Sequence, residues 1–254
     1  MIRGLVLAAA AVVAGLPGPT IDPARFRPPQ QGLVVRAKGG VVLVNLRGRV
    51  LGHLSGFRID DVPDLPRRPR EVLLRKGRAE FALGRRGVRP APRYGGGWPS
   101  TARGCHPGPS PFVICGYPHS KRELGSTVYL RGRKLLGPSP SRVGISGGYW
   151  LSVQLSPDRR TLLLQWLGLC ETQTAYFARA DGSRLRPAVG DRSAESGALG
   201  WALDGRAVLD LPRGVCGTGF RRPGIYLVDP DSGRHAFVHR GSGRLWGSAF
   251  SATP

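Results

Sequence analysis

One pattern of short apolar strands separated by Asp- and Gly-containing turns occurs twice between residues 146 and 240. The first copy contains the turn Ser156-Pro157-Asp158-Arg159 and closes at Gly182. The second contains Ala202-Leu203-Asp204-Gly205 and closes at Gly233, about 50 residues further along the chain. A unit of that length with strand-like segments between polar turns is typical of a four-stranded propeller blade.

Glycines that close each unit extend the pattern over the rest of the chain. They are Gly48, Gly87, Gly132, Gly182 and Gly233. Their spacing of roughly 40 to 50 residues divides the chain into five units. The sequence therefore predicts an all-β fold, a single β-propeller of five four-stranded blades, with six blades as the alternative.

The segment around Trp246 predicts how such a ring closes. It resembles the strands that open the fourth and fifth units at Trp150 and Trp201, whereas the first unit near Leu33 lacks an opening strand. We therefore expect the C-terminal strand to complete the N-terminal blade, which would remove an exposed sheet edge. The three tryptophans are interpreted as wedges between blades, and stacking on sugars or bases is the alternative.

The turn Ser156-Pro157-Asp158 and the segment Ile225-Tyr226-Leu227-Val228-Asp229-Pro230-Asp231-Ser232-Gly233 resemble the TolB-like, WD-like propeller repeat. That family alternates an S-P-D-G turn with a tyrosine-containing strand that ends in D-x-D-G-G. Arg159 stands in place of the family's Gly, and Leu203 in place of its Pro. The resemblance covers about 146–240, and it implies an exported interaction scaffold or the non-catalytic domain of a larger peptidase. It supplies no catalytic residue.

The N-terminus predicts export. Residues 1–16 combine Arg3 with an apolar run and a Gly-Leu-Pro-Gly exit, as secretory signals do, and an uncleaved anchor is the alternative. Residues 17–31 form a Pro-rich lead-in, and 32–254 form the propeller domain. The expected localisation is secreted or cell envelope, with no membrane span after signal cleavage.

The four cysteines form an even set, as expected in an oxidising compartment: Cys105, Cys115, Cys170 and Cys216. Cys170 and Cys216 hold matching positions in successive repeats. A Pro-rich turn at 106–111 lies between the other two. Three pairings are possible, and we favour 105–115 together with 170–216.

The chain is strongly basic, with 38 Lys and Arg against 16 Asp and Glu and a formal charge of +22. Such a charge suits anionic polymers, including nucleic acid, acidic cell-wall polymers and lipid head groups. The arginines are scattered through turns, so compositional bias is the simpler interpretation. No specific nucleic-acid motif is present.

Two groups of residues resemble a catalytic site and a metal site, but both fit the predicted fold poorly. The string Gly144-Ile145-Ser146-Gly147-Gly148 matches a nucleophile elbow, which needs a strand before it and a helix after it. A strand-like segment follows instead, although His235 or His239 could complete a triad with Asp229 or Asp231. Cys105, His106, Cys115 and His119 could be imagined as a zinc set, but adjacent ligands suit one tetrahedral site badly.

The sequence thus predicts an exported binding or scaffold protein, with no catalytic, cofactor or metal residue assigned. Its expected partner is a protein or a cell-envelope component. The alternatives are a hydrolase or lyase that uses the propeller channel mouth, and a cell-envelope polyanion binder. Calcium binding by the turn aspartates Asp158, Asp181, Asp204 and Asp231 would require them to converge.

Overall fold

The computed structural model describes residues 17–60, 70–91, 105–107, 112–115, 126–137, 148–168, 173–190, 195–212 and 222–250. Within these ranges the regular structure consists of β-strands, which confirms the all-β prediction. The predicted signal segment, Trp98, the serine of the nucleophile-elbow string, His119, Cys170 and Cys216 lie outside the described residues.

Twenty strands occur within the described ranges. The first ten are β1 (Gly32–Ala37), β2 (Gly40–Val44), β3 (Val50–Ser55), β4 (Phe57–Ile59), β5 (Val72–Lys76), β6 (Ala79–Gly84), β7 (Gly87–Pro90), β8 (Cys105–Pro107), β9 (Phe112–Cys115) and β10 (Thr127–Leu130). The second ten are β11 (Arg133–Leu136), β12 (Tyr149–Leu155), β13 (Thr161–Leu167), β14 (Gln173–Arg179), β15 (Arg186–Pro187), β16 (Gly197–Trp201), β17 (Ala207–Leu211), β18 (Gly224–Val228), β19 (His235–His239) and β20 (Gly243–Trp246).

These strands form five antiparallel four-stranded sheets. Sheet one has the order β20-β1-β2-β3, whereas sheets two to five each contain four consecutive strands from β4–β7 to β16–β19. In sheet one the C-terminal strand pairs with β1 and places Leu245 opposite Leu33. The missing first strand of the N-terminal unit is therefore supplied by the C-terminal segment, as the sequence predicts.

Four of the five closing glycines lie in the turn between the third and fourth strand of their sheet, Gly87 begins the fourth strand directly after that turn, and all five have positive φ. The φ values are +83° for Gly48, +89° for Gly87, +81° for Gly132, +83° for Gly182 and +71° for Gly233. Only glycine adopts this left-handed region at little cost. The regular spacing of these glycines in the sequence therefore reflects a left-handed backbone conformation that recurs near the start of the fourth strand in each sheet.

Apolar side chains fill the spaces between neighbouring sheets. Four clusters join sheet three to four, four to five, five to one, and one to two. Val34 and Leu43 of sheet one meet Phe57 and Leu74 of sheet two, for example. Successive side chains of a strand point to opposite faces of its sheet, and each face packs on a neighbour, so a strand such as β18 is buried along its whole length.

Three tryptophans lie within these interfaces, as the structural interpretation predicted. Trp150, Trp201 and Trp246 are at most 1% exposed, and each indole N–H donates to a backbone carbonyl. Their predicted equivalence is correct for two of them only. Trp201 and Trp246 face the first residue of the next strand in their sheet, whereas Trp150 faces Trp166 near the far end of β13.

The lead-in, residues 17–31, lies against sheets one and two. The Ile21 N–H donates to the His53 carbonyl and the His53 N–H donates to the Pro19 carbonyl, both at 2.9 Å, which adds a short parallel bridge outside β3. The Trp246 indole donates to the Pro29 carbonyl at 3.2 Å. The lead-in thereby runs from the outermost strand of sheet one to its innermost.

Gln31 is the last residue of the lead-in, and its polar side chain is buried. Its Nε2 donates to the carbonyls of Trp201 (3.0 Å) and Gly247 (2.7 Å), and its Oε1 accepts from the Leu203 N–H at 2.8 Å. A buried amide needs such partners to offset the loss of hydration. Gln31 therefore fastens the N-terminal lead-in to sheet five and to the residue after β20.

One local prediction, the Pro-rich turn at 106–111, needs correction. The segment from Cys105 to Cys115 contains a strand pair, since β8 lies antiparallel to β9. A three-residue strand with a proline carries little apolar periodicity, so the sequence gave no strand signal there.

Candidate functional site

The sheets have two unlike edges. At one, which we call the turn edge, the connections lead from first to second and from third to fourth strands. At the other, the loop edge, they lead from second to third strands and on to the next sheet. The loop edge of sheets one and two is continuous, because the Gly56 N–H donates to the Gly39 carbonyl at 2.9 Å.

Connections differ in length between the two edges. In sheets three to five the turn edge carries the connections 108–111, 131–132, 156–160, 180–185, 202–206 and 229–234, which are two to six residues long. The loop edge of the same sheets carries 116–126, 137–148, 168–172, 188–196, 212–223 and 240–242, and four of these six are nine to twelve residues long. Irregular segments held by a rigid scaffold are where binding residues concentrate, so the loop edge is the candidate functional face.

A buried carboxylate lies at this edge, where sheet five meets sheet one. Asp210 is near the end of β17 and is 8% exposed. Its Oδ2 accepts from the Ser242 hydroxyl at 2.7 Å and from the Gly243 N–H at 3.3 Å. Asp210 thereby ties sheet five to the first residue of the strand that completes sheet one.

Burial raises the pKa of Asp210 above its usual value. The hydrogen bonds from Ser242 and Gly243 oppose that shift, as do the positive charges of Arg244 and Arg36. Loss of hydration outweighs these four effects because the carboxylate lies in an apolar junction. A carboxyl with a raised pKa can hold or release a proton nearer neutrality than an exposed aspartate does.

The neighbouring junction, between sheets four and five, is held by uncharged polar groups. Gln165 donates to the Trp166 and Ser196 carbonyls, each at 3.3 Å, and accepts from the Ala198 N–H. The Ser196 hydroxyl accepts from the Ala175 N–H at 2.9 Å. Gln165 and Ser196 thus supply neutral hydrogen bonds at this junction, where the carboxyl of Glu195 is also buried.

The histidine side chains that the structure describes have partners other than Asp210. His53 contacts the Thr20 hydroxyl and the Gly18 carbonyl. His239 contacts the Arg240 carbonyl, and His235 packs edge-on against Tyr226. No group of three or more His, Cys, Asp or Glu side chains that could hold a metal ion occurs within the described ranges.

The remaining sequence-predicted residues are placed as follows. Cys105 and Cys115 lie directly opposite each other in the β8–β9 pair, and His106 lies opposite Ile114. Asp229 and Asp231 share a turn in which Asp229 accepts from the N–H groups of Asp231 and Ser232. These turn aspartates bond their own backbone, as aspartates in tight turns commonly do.

Asp210 is the residue that sequence reasoning missed. The signal was present, because a carboxylate interrupts the apolar strand Ala-Val-Leu-Asp-Leu at 207–211. An aspartate inside a strand that is buried on both faces is rare without a partner. Its partner, Ser242, lies 32 positions away, and nothing in the sequence links the two.

Comparison with known proteins found similar solved structures. No family model and no curated protein matches the chain. Similar structures include two of a puromycin hydrolase, at 16% and 17% identity and TM-scores of 0.33 and 0.36, which cover 82% and 83% of this chain. TolB from Acinetobacter baumannii shows 11% identity and a TM-score of 0.35 over 92% of this chain.

The chain spans 37%, 39% and 56% of the lengths of these three structures. Identities and TM-scores at this level transfer neither a site nor an activity. Among the residues that the structure describes, no helix is long and apolar enough to cross a membrane.

Proposed function

We propose that this chain is an exported five-bladed β-propeller that serves as a binding scaffold through the loop edge of its third to fifth blades. The observation that carries the proposal is the unequal length of the connections at the two edges of those sheets. The turn edge of these sheets has connections of at most six residues, whereas four of the six loop-edge connections have nine to twelve. That arrangement suits recognition of a protein or a cell-envelope component.

Ring closure is part of the proposal. Strand β20 completes sheet one, and four interfaces join sheets three, four, five, one and two in that order. Contact between sheets two and three would close the ring. The register of Cys105 opposite Cys115 supports the favoured disulfide between them, and we extend that proposal to Cys170 and Cys216.

Position-specific photocrosslinking in the protein's own cells tests the binding face. A photoreactive residue is placed at the exposed loop-edge positions Gln173 and Arg240, and as matched controls at the exposed turn-edge positions Ser183 and Ser232. We expect a discrete adduct from the loop edge and none from the turn edge. Adducts of equal yield from both edges, or from the turn edge alone, would contradict the proposal.

A hydrolase or lyase is the second candidate, because Asp210 is a buried, protonatable carboxyl at the loop edge. Its two described hydrogen bonds go to Ser242 and Gly243, and both fasten a connection between sheets. We therefore assign Asp210 to the architecture of the binding scaffold.

A further inference from the structure

Arginines that are scattered in the sequence come together at the turn edge. In sheets one and two the glycines Gly48 and Gly87 are flanked by exposed Arg47, Arg49, Arg85 and Arg86. Gly84 pairs with Gly87, so Arg85 and Arg86 form a two-residue hairpin turn with little freedom. Their guanidinium groups are therefore carried on rigid structure at one edge.

The lead-in adds a third arginine at this position. A Cβ placed on Gly87 would lie 2.8 Å from the Phe26 carbonyl oxygen, so the lead-in passes directly over the Arg85-Arg86 turn. The next residue along the lead-in is the exposed Arg27. We call Arg27, Arg85 and Arg86 the basic patch.

Acidic residues of the same two sheets form ion pairs with other arginines, and one of them, Glu71, lies beside Gly84 at the Arg85-Arg86 turn. Asp60 and Glu80 pair with Arg75, at 2.9 Å and 3.3 Å, and Glu71 pairs with Arg89. Asp22 of the lead-in pairs with Arg25 at 3.6 Å. Within the described ranges, no ion pair neutralises the three arginines of the basic patch.

The described part of the chain begins at this same edge. A Cβ placed on Gly18 would lie 2.8 Å from Val50, the first residue of β3 after the turn at 45–49. Residues 1–16 of the sequence are apolar except for Arg3. An apolar segment and a basic surface are the two elements that together bind a protein stably to an anionic bilayer.

We propose that the turn edge of sheets one and two binds anionic lipid head groups through the basic patch, with the loop edge directed away from the membrane. This inference rests on retention of the apolar N-terminal segment as an uncleaved anchor, which is the alternative to signal cleavage. It does not depend on binding at the loop edge, so the two proposals can fail separately.

Vesicle partitioning of the full chain tests the proposal. Partition onto phosphatidylcholine vesicles measures the contribution of the apolar segment, and vesicles that also contain phosphatidylglycerol add the electrostatic contribution. The test variant is R85E/R86E. Its matched control, K38E/R78E, makes the same change in net charge at the exposed hairpin turns of the loop edge of the same two sheets.

We expect R85E/R86E to lower partition onto the phosphatidylglycerol vesicles by about tenfold or more, since each basic residue near an anionic surface contributes about 1 kcal/mol. Partition onto phosphatidylcholine alone should be unchanged, and K38E/R78E should bind as the parent does. R85Q/R86Q repeats the test without introducing negative charge, should the double reversal disturb folding. Its expected loss is smaller but in the same direction.

Two outcomes would overturn the proposal. An equal loss in the test and control variants would mean that net charge alone governs binding. Unchanged vesicle partition together with weaker retention of R85E/R86E on heparin would mean that the patch recognises a soluble polyanion and not a lipid surface.

Discussion

Asp210 interrupts an otherwise apolar strand and forms hydrogen bonds with the connection that leads into β20. A hydrophobic residue of similar size at this position would leave the Ser242 hydroxyl and the Gly243 N–H without these acceptors. Leaving a buried donor unsatisfied costs about 1 to 3 kcal/mol. The carboxylate is therefore retained at a junction where its own ionisation is unfavourable.

We expect Asp210→Asn to change the pH dependence of stability. Burial raises the pKa of Asp210 above the unfolded value of about 3.9. The stability gained from protonation is therefore fully present below that unfolded value, and it is lost as pH rises through the folded pKa. Asparagine keeps one acceptor oxygen and does not titrate. The free energy of unfolding of the variant relative to the parent should thus be higher at neutral pH than at pH below about 4, by on the order of 1 kcal/mol.

Urea unfolding over a series of pH values measures this difference. Asp229→Asn is the control, because hydrogen bonds from Ser232 lower the pKa of Asp229 and its substitution should have the opposite pH dependence. A difference between Asp210→Asn and its parent that does not vary with pH would contradict the expected effect of burial.

At the scale of elements, the closing glycines do more than allow a left-handed turn. A Cβ on Gly48 would lie 2.6 Å from the Val238 carbonyl oxygen, and one on Gly182 would lie 2.6 Å from the Leu135 carbonyl oxygen. In both places the turn of one sheet meets the outermost strand of the preceding sheet. The glycine therefore serves the hairpin and the contact between sheets together.

Alanine substitution separates these two roles. Gly39 has φ +82° and open space around it, whereas Gly48 has φ +83° and the close carbonyl. Both Gly39→Ala and Gly48→Ala should lose about 1 kcal/mol from the left-handed backbone. Gly48→Ala should lose a further 1 to 3 kcal/mol, roughly, from the clash between sheets. Equal losses in the free energy of unfolding would show that the structure around the Val238 carbonyl can move to accommodate the added Cβ without loss of stability.

Arg159 adopts the same left-handed backbone conformation although it is not a glycine. Its φ is +64°, and Gly205 has φ +83° at the matching position of the next unit. The TolB-like pattern has glycine there, so the turn keeps its shape although the sequence departs from the pattern. The Ser156 hydroxyl accepts from the N–H groups of Arg160 and Thr161, which holds the turn in place.

At the scale of the whole molecule, the first and last parts of the chain meet in sheet one. Strand β20 covers β1, the lead-in crosses the turn edge, and Gln31 connects the lead-in to sheet five and Gly247. The two ends are therefore part of the core architecture. Their contacts have the largest sequence separations in the chain, so they form against the highest loop entropy.

Removal of β20 should abolish cooperative folding. A chain that ends at Ser242 loses Leu245 and Trp246 from the core and leaves β1 with an open edge that can pair with another chain. We expect a broad unfolding transition and concentration-dependent association, measured by denaturation and light scattering. A chain that ends at Phe250 is the control. A sharp, parent-like transition in the shorter chain would show that the C-terminal strand is dispensable.

The sequence by itself determined the repeat, the all-β class and the completion of the first sheet, because each depends on local backbone requirements. Glycines at positive φ, Asp-containing turns and alternating apolar residues are visible along the chain. The offset of Trp150 from Trp201 was not visible, since register is set by pairing between strands.

Only the tertiary structure decided where charge is placed. Asp210 meets Ser242, and Arg27 comes to lie beside the Arg85-Arg86 turn, through contacts between segments distant in sequence. The arginines are scattered along the sequence because the turns that carry them are separated by whole strands. They become one surface only when antiparallel pairing brings alternate turns to the same edge.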